Sequence, residues 1–101
     1  MELEVYKANK VPEEYLPQLR SLTLPHGMMW GTFTRCRNFD NNHEGKVVVV
    51  KDDEELIGWG LRWRMHNFNW TLHLFVSPSR RREGIGTVIA ERAVKGLKMT
   101  Q

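Results

Sequence analysis

Three consecutive arginines and two closely spaced glycines lie between a predicted strand and a predicted helix, in the segment Arg80–Gly86. Glycine allows the backbone to approach a ligand closely and to adopt dihedral angles closed to other residues. The first amides of a helix have no acceptors inside the helix and lie at the positive end of its dipole. Arginine adds forked donors that suit phosphate oxygens. The segment therefore predicts an anion cradle, and a pyrophosphate fits it better than a single carboxylate.

Two other nucleotide-binding signatures fit this segment poorly. A dinucleotide fingerprint needs a third spaced glycine and then an acidic residue about 20 positions on, which the sequence up to Gln101 does not supply. A phosphate loop needs Gly-Lys-Ser/Thr, which the sequence lacks. A solvated turn and a nucleic-acid contact are the alternatives for the arginines. With a formal net charge of only +3 and no evident groove-reading helix, nucleic acid is not an expected partner.

Positive charge is concentrated around the same segment. Residues 1–76 hold 9 Lys+Arg against 10 Asp+Glu, a net of −1, whereas residues 77–101 hold 6 against 2, a net of +4. A patch of this kind favours a polyanion, such as a nucleotide cofactor.

Hydrophobic spacing predicts the elements in the first half of the chain. Leu3–Tyr6 is a short strand, and Pro12 with two following glutamates begins a helix whose apolar residues recur at helical spacing from Tyr15 to Leu22. Pro25–Gly45 contains several turn residues and is predicted to be irregular, apart from a single helical turn. Loops of this length are usually functional, so substrate contacts are expected there.

Three strands and a helix are predicted in the second half. The four valines within Lys46–Lys51 suit a strand covered on both faces, Leu56–Met65 alternates at period two, and Trp70–Val76 follows a turn at His66–Asn69. The alternation places Ile57, Trp59, Leu61, Trp63 and Met65 on one face, and Gly58, Gly60, Arg62 and Arg64 on the other. The apolar stripe of the helix comprises Ile85, Val88, Ile89, Ala93 and Leu97.

Composition excludes several classes of protein. The longest aliphatic run is Val47–Val50, far short of the roughly 20 residues of a membrane helix. Met1–Lys7 alternates charged and apolar residues, unlike a signal peptide. Cys36 is the only cysteine, which excludes an internal disulfide and fits a reducing compartment. We therefore expect a cytoplasmic protein without a membrane partner.

Other reactive side chains offer weaker patterns. The four histidines show no ligand spacing, so no metal site is predicted. Cys36 lies between Arg35 and Arg37, whose charges would lower the pKa of its thiol. We nevertheless expect an ordinary, unreactive thiol. Most of the tryptophans should be core, but an exposed pair beside Arg62 and Arg64 would suit a protein interface. The four tryptophans are Trp30, Trp59, Trp63 and Trp70.

The segment Arg81–Gly86 resembles the coenzyme A signature of the GNAT N-acetyltransferase superfamily. That signature is a Gln or Arg, two variable residues, Gly, one variable residue, and then Gly or Ala. The likeness continues upstream through Leu74–Pro78, which is similar to the family's fourth strand, and downstream through Thr87–Ala93, which is similar to its third helix. Lys46–Met65 is similar to the second and third strands, so the resemblance covers nearly the whole chain.

The resemblance implies a single domain over residues 1–101 with an α+β fold of three layers. An N-terminal helix and a C-terminal cofactor-binding helix would cover a mostly antiparallel sheet of about four strands. The implied cofactor is acetyl-CoA or another acyl-CoA, with its pantetheine arm paired to β-strand main chain and its pyrophosphate held by helix amides and arginines. The implied cofactor-binding residues are Phe75, Val76, Arg81, Arg82, Glu83, Gly84, Ile85, Gly86 and Thr87.

By the same resemblance the sequence is a C-terminally truncated member. Full-length members continue into a fifth strand and beyond, and their frequent proton-donating tyrosine comes from that part. The family's general-base positions correspond to Trp70 or Leu72, neither of which accepts a proton. His73 would point to the opposite face of a regular strand unless a bulge re-aims it. Glu44 or Asp40 would act only through a water chain, so the catalytic residues are left unassigned.

Two functions follow as hypotheses. The first is a minimal acyl-CoA-dependent N-acyltransferase that transfers an acyl group to an amine acceptor, a small molecule or a protein, mainly by positioning. The second is a catalytically inactive GNAT-like binding module that engages or inhibits a partner protein. In both, the strand Trp70–Val76 would be an open sheet edge. A second copy, a partner chain or the segment Leu97–Met99 is expected to cover it.

Overall fold

The computed structural model describes residues 1–39, 44–64 and 69–95. Four strands form one antiparallel sheet in the order β1-β2-β3-β4, which confirms the predicted α+β fold. None of the helices in these ranges is long and apolar enough to cross a membrane. The strands are β1 Glu2–Lys7, β2 Lys46–Asp52, β3 Glu55–Trp63 and β4 Thr71–Val76, and the helices are α1 Leu16–Ser21, α2 Met29–Asn38 and α3 Ile85–Ala93.

The sheet is covered on both faces, as the run of valines in β2 predicts. Val47 and Val49 pack into one apolar cluster with residues of α1 and α2. Val48 and Val50 pack into a second cluster with residues of α3. All four valines are buried, because alternate side chains of a central strand point to opposite faces. The molecule thus has three layers, with α1 and α2 on one face of the sheet and α3 on the other.

Trp59 joins α1 and α2 to the sheet. Its ring is fully buried and meets the ring of Phe33 edge-on, with the centroids 5.3 Å apart. Its indole Nε1 donates a hydrogen bond of 2.8 Å to the carbonyl oxygen of Leu22, just past the end of α1. The buried N–H is therefore satisfied, and the same residue supplies both apolar contact and a fixed end for α1.

Helix α2 corrects the prediction that residues 25–45 are irregular. It runs for ten residues, although Gly31 and two threonines within it are weak helix formers. Its buried residues are Met29, Thr32, Phe33 and Cys36, which have the spacing of one helical face. Burial of that face against the sheet outweighs the poor local propensity. Asp40, which could act as a proton acceptor only through a water chain, lies outside the described residues.

A β-bulge in β3 corrects the predicted position of Ile57. The pairing of β2 with β3 shifts between Val50 and Lys51, so that Ile57 is the extra residue of β3. Its side chain is buried in the cluster on the α3 face, whereas the alternation placed it beside Trp59 and Leu61 on the other face. An inserted residue changes the phase of the alternation along a strand. Met65 falls outside the described residues.

Two glycines of β3 let α3 lie close to the sheet. A Cβ on Gly58 would lie 3.3 Å from Ile89 Cδ1, and a Cβ on Gly60 would overlap Ile89 Cγ2. Ile85, Ile89 and Ala93 form the buried face of α3. The prediction that Val88 belongs to this face is wrong, since its side chain is 38% exposed. Leu97, the last residue of the predicted stripe, lies outside the described residues.

Replacement of Gly60 by alanine is expected to destabilise the protein. The new Cβ must displace Ile89, which is fully buried, and overpacking of this kind costs about 1–3 kcal/mol. The free energy of unfolding measured in urea should fall by that amount. The double variant Gly60→Ala/Ile89→Ala should lose less unfolding free energy than the two single variants lose together. The reason is that Ile89→Ala removes the atom that the new Cβ overlaps.

Gly31→Ala is the matched control. Gly31 is exposed within α2, and a Cβ there would meet no atom within 4 Å. Alanine should leave stability unchanged or raise it by up to about 1 kcal/mol. Equal urea midpoints for Gly60→Ala and Gly31→Ala would show that α3 does not depend on the close approach.

The thiol of Cys36 is predicted to be unreactive in the folded protein. Cys36 is fully buried in α2, and burial raises the pKa of its thiol to about 11, against a smaller opposing effect of Arg35. A thiol-specific reagent at pH 8 should therefore react at the rate of unfolding. Because folding raises the pKa of the Cys36 thiol, the thiol contributes fully to the free energy of unfolding below about pH 8.5, the pKa of an unfolded cysteine. This contribution is lost as the pH rises toward 11. Burst labelling of the native protein would contradict the assignment.

Candidate functional site

A cleft of about 610 Å³ lies where β4 ends and α3 begins. The strand supplies one wall, the turn and the first residues of α3 supply another, and Leu24 reaches it from the segment between α1 and α2. The wall is largely apolar, with charged side chains only on the turn. The lining residues are Leu24, Leu74, Phe75, Val76, Arg80, Arg81, Arg82, Gly84, Ile85, Gly86 and Thr87.

Unpaired amides face this end of α3. The first helical hydrogen bond runs from Val88 N to the carbonyl oxygen of Gly84, at 3.1 Å. Within the described ranges, no main-chain carbonyl accepts a hydrogen bond from the amides of residues 84–87. Gly84 has φ of 81° and precedes α3 as its cap, a left-handed conformation that glycine adopts without strain. The turn therefore presents a row of donors at the positive end of the helix dipole.

Gly86 lies where the packing of the protein would accept a larger residue. A Cβ at this position would lie 3.6 Å from Leu74 Cδ1 and 3.9 Å from Val76 Cγ2, which are ordinary contacts. Internal packing therefore does not require glycine here, in contrast to Gly60. The missing side chain keeps open the side of the cleft next to the free amides, as a close approach by a ligand requires.

Arg80 lines the cleft, as the sequence predicts, but its charge is already paired. Its guanidinium pairs with Asp52 at 3.0 Å and with Glu83 at 3.0 Å. Its pKa is raised by its hydrogen bonds to these carboxylates, more by the bond to Glu83 than by the bond to Asp52. Two carboxylates thus neutralise this arginine, which ties the turn to the end of β2. It supports the shape of the cradle and is not a free cation for a ligand.

The other two arginines differ from each other. Arg81 Nε donates to the carbonyl oxygen of Val76 at 3.1 Å, and its guanidinium lies over the ring of Phe75 at 5.2 Å. Arg82 is exposed, has a left-handed φ of 71°, and has no partner among the described residues. Only Arg82 is therefore an uncommitted cation at this turn, and Arg81 covers part of the β4 edge.

The outer edge of β4 carries no further strand within residues 1–39, 44–64 and 69–95. Its inner edge pairs with β3 from Thr71 to Val76. Main-chain groups along the outer edge are thus available for pairing with an extended ligand or another strand. Positions 97–99, which were expected as one possible cover, lie outside the described residues.

Candidate proton acceptors are directed elsewhere. His73 stacks on Trp63 at 6.4 Å and 8°, on the sheet face opposite α3, and burial lowers its pKa. Glu44 pairs with Arg64 at 2.6 Å. Among the described residues, no carboxylate or imidazole lines the cleft. The fold thus joins the anion cradle and the strand edge, but brings no side-chain base to them.

Sequence reasoning missed two residues that shape this site. Leu24 stands in a segment without regular structure and reaches the cleft only through the path of the chain between α1 and α2. Asp52, which pairs with Arg80, lies at the end of β2. No local pattern marks either residue. Leu74, by contrast, alternates with Val76 and could have been found from the strand periodicity.

Comparison with known proteins identifies a family. No curated protein is detectably similar in sequence to the chain. The sequence profile of the Acetyltransferase (GNAT) family matches residues 9–98, which is most of its length. This range includes the strand, turn and helix that build the cleft. The anion cradle at the start of α3, the open edge of β4 and the profile agree, and the chain belongs to the GNAT acetyltransferase family.

Proposed function

We propose that this protein is an acyl-CoA-dependent N-acyltransferase that moves an acetyl or other acyl group from coenzyme A to an amine. The observation that carries the proposal is the row of unpaired amides at residues 84–87, set beside an apolar cleft and a free strand edge. A diphosphate on an extended arm matches both features at once. Membership of the GNAT family supports this choice among ligands.

The cofactor, when bound, would supply the activated acyl thioester. The amides from Arg82 to Thr87 would hold its diphosphate, and the free guanidinium of Arg82 would add charge. The pantetheine arm would pair with the outward-facing main chain of Val76, and Phe75, whose carbonyl oxygen lies toward β3, would line the arm with its side chain. For Val76, this pairing requires Arg81 to leave the carbonyl oxygen that it now contacts at 3.1 Å. The apolar wall would keep water from the thioester.

Catalysis in this proposal depends on positioning. No side-chain base lines the cleft among the described residues, so the amine must arrive in its neutral form or lose its proton to solvent. The protein's contribution is to hold the thioester still and orient it toward the acceptor, which can lower a barrier by several kcal/mol without acid or base assistance. The acceptor is a small amine or a protein amine.

A second candidate is a GNAT-like module that binds a partner and does not turn over. The lack of a base at the cleft favours it, since acid–base assistance typically contributes about 10²–10⁴-fold to rate. The free edge of β4 offers a place for a partner chain or a second copy to add a strand. Binding of coenzyme A would then serve stability or partner recognition.

Gly86→Val is predicted to weaken binding of acetyl-CoA while leaving the fold intact. The added side chain would fill the space beside the free amides, where internal contacts are ordinary. Calorimetric titration should show binding to the wild type and at least about a tenfold loss in the variant, equivalent to 1.4 kcal/mol. Gly31→Val, the same change on the exposed face of α2, is the matched control and should bind normally. Equal affinity in both variants would remove the cradle from the proposal.

Turnover should depend on pH through the acceptor alone. Release of free coenzyme A thiol, followed with a panel of amines, should rise with pH through the pKa of each amine and show no separate enzyme base. A bell-shaped profile shared by all amines would reveal a catalytic group that the proposal lacks. Binding without release for every amine would favour the binding module.

A further inference from the structure

We propose a second binding site, for a small phosphate-type dianion, formed by Lys7, Lys46 and Arg62 at the end of the sheet remote from the cofactor cleft. These residues line a cleft of about 280 Å³ together with Glu44 and Gly45. It shares no lining residue with the cofactor cleft. The proposal goes beyond acyl transfer and does not require it.

The three cations stand side by side across three strands. Lys7 of β1 is the register partner of Lys46 of β2, and Lys46 is the register partner of Arg62 of β3. Register partners share one face of a sheet, and like charges directly opposite each other are destabilising. A row of three cations beside a single carboxylate is therefore an unfavourable arrangement in the unliganded protein.

Arg62 is the central observation. Its side chain is largely removed from water, with 8% of the residue exposed, and its Nε has no hydrogen-bond acceptor. Its guanidinium lies 4.5 Å from the ring centroid of Trp70, so one face is covered. Burial lowers the pKa of this guanidinium, and nearby Glu44 opposes that effect. A buried charged group without a counter-charge is costly, and an oxyanion in the cleft would offset that cost through its attraction to the guanidinium charge.

The carboxylate at the rim does not balance this charge. Glu44 pairs at 2.6 Å with Arg64, which also stacks on Trp70 at 4.2 Å. The lining side chains thus comprise three cations and one carboxylate, and the carboxylate is shared with a fourth cation. An ion with two negative charges would neutralise the net charge of the lining.

Size and position limit the ligand. The cleft lies at the lower end of the range of small-molecule pockets, about 300–1,000 Å³, so it suits a phosphate group more than a nucleotide. Arg62 pairs with Leu72, whereas Gly58 pairs with Val76 at the cofactor cleft. Four residues of a strand span about 13 Å. The two sites lie on the same face of the sheet and can be occupied together.

Thermal unfolding with inorganic phosphate tests the proposal. At tenfold its Kd, phosphate should raise the Tm of the wild type by roughly 5–10 °C above potassium chloride of equal ionic strength. Arg62→Met should keep the fold, since it replaces an unpaired buried charge by an apolar side chain of similar length. Combined with Gly86→Val, which closes the cofactor cradle to phosphate, it should lose this rise. Lys46→Met and Lys7→Met should each reduce it. Lys10→Met, a change at an exposed lysine outside the row, should not.

Gly86→Val separates this site from the cofactor cradle, which also attracts phosphate. The rise in Tm should persist in Gly86→Val if phosphate binds at the cation row. The proposal fails if the rise is lost in Gly86→Val, if Arg62→Met and Lys46→Met respond as the wild type does, or if chloride produces the same rise. Loss of acetyl-CoA binding alone would overturn the proposed function and leave this site unaffected.

Discussion

The close approach of α3 to β3 is the contact on which the cofactor cleft depends. Ile89 packs where Gly58 and Gly60 have no side chains, so the helix axis lies nearer the sheet than larger residues would allow. The helix begins only nine residues after β4 ends. With α3 fixed against the sheet, its first amides must lie beside the last residues of β4. The anion cradle and the strand edge are therefore adjacent because of packing elsewhere along the helix.

Charge at this turn is arranged so that the main chain, more than the side chains, would attract the proposed anion. Arg80 is neutralised by Asp52 and Glu83, and Arg81 is engaged with the end of β4. Only Arg82 is uncommitted among the described residues. Backbone donors in fixed positions have little entropy to lose when they bind, whereas flexible arginines lose more. The ion pairs of Arg80 thus serve by holding the turn that aims the amides.

The sheet separates two kinds of chemistry. The face toward α3 carries the cofactor cleft at one end and the row of Lys46 and Arg62 at the other. The face toward α1 and α2 holds His73, stacked on Trp63, and the buried thiol of Cys36. The side chains best suited to acid–base or nucleophilic work are therefore on the wrong face or enclosed. This distribution explains why no side-chain base lines the proposed cofactor site among the described residues.

Local patterns in the sequence determined the four strands, the start of α3 and the glycine-rich turn between β4 and α3. These depend on period-two alternation, on glycine dihedral freedom and on helix-end amides, all of which act within a few residues. The spacing of Met29, Phe33 and Cys36 is that of one helical face of α2. The low helix propensity of the glycine and threonines between them argued against a helix there. Burial against the sheet, a long-range term, was needed to form that helix.

Only the tertiary structure decided the phase of β3 and the partners of the arginines. The bulge at Ile57 arises from how β3 pairs with β2, and no residue type in this segment predicts it. Arg80 meets Asp52, which lies 28 positions earlier in the sequence, and Arg62 meets two lysines of other strands only through sheet register. Such contacts join residues distant in sequence, so their geometry exists only once the strands have paired.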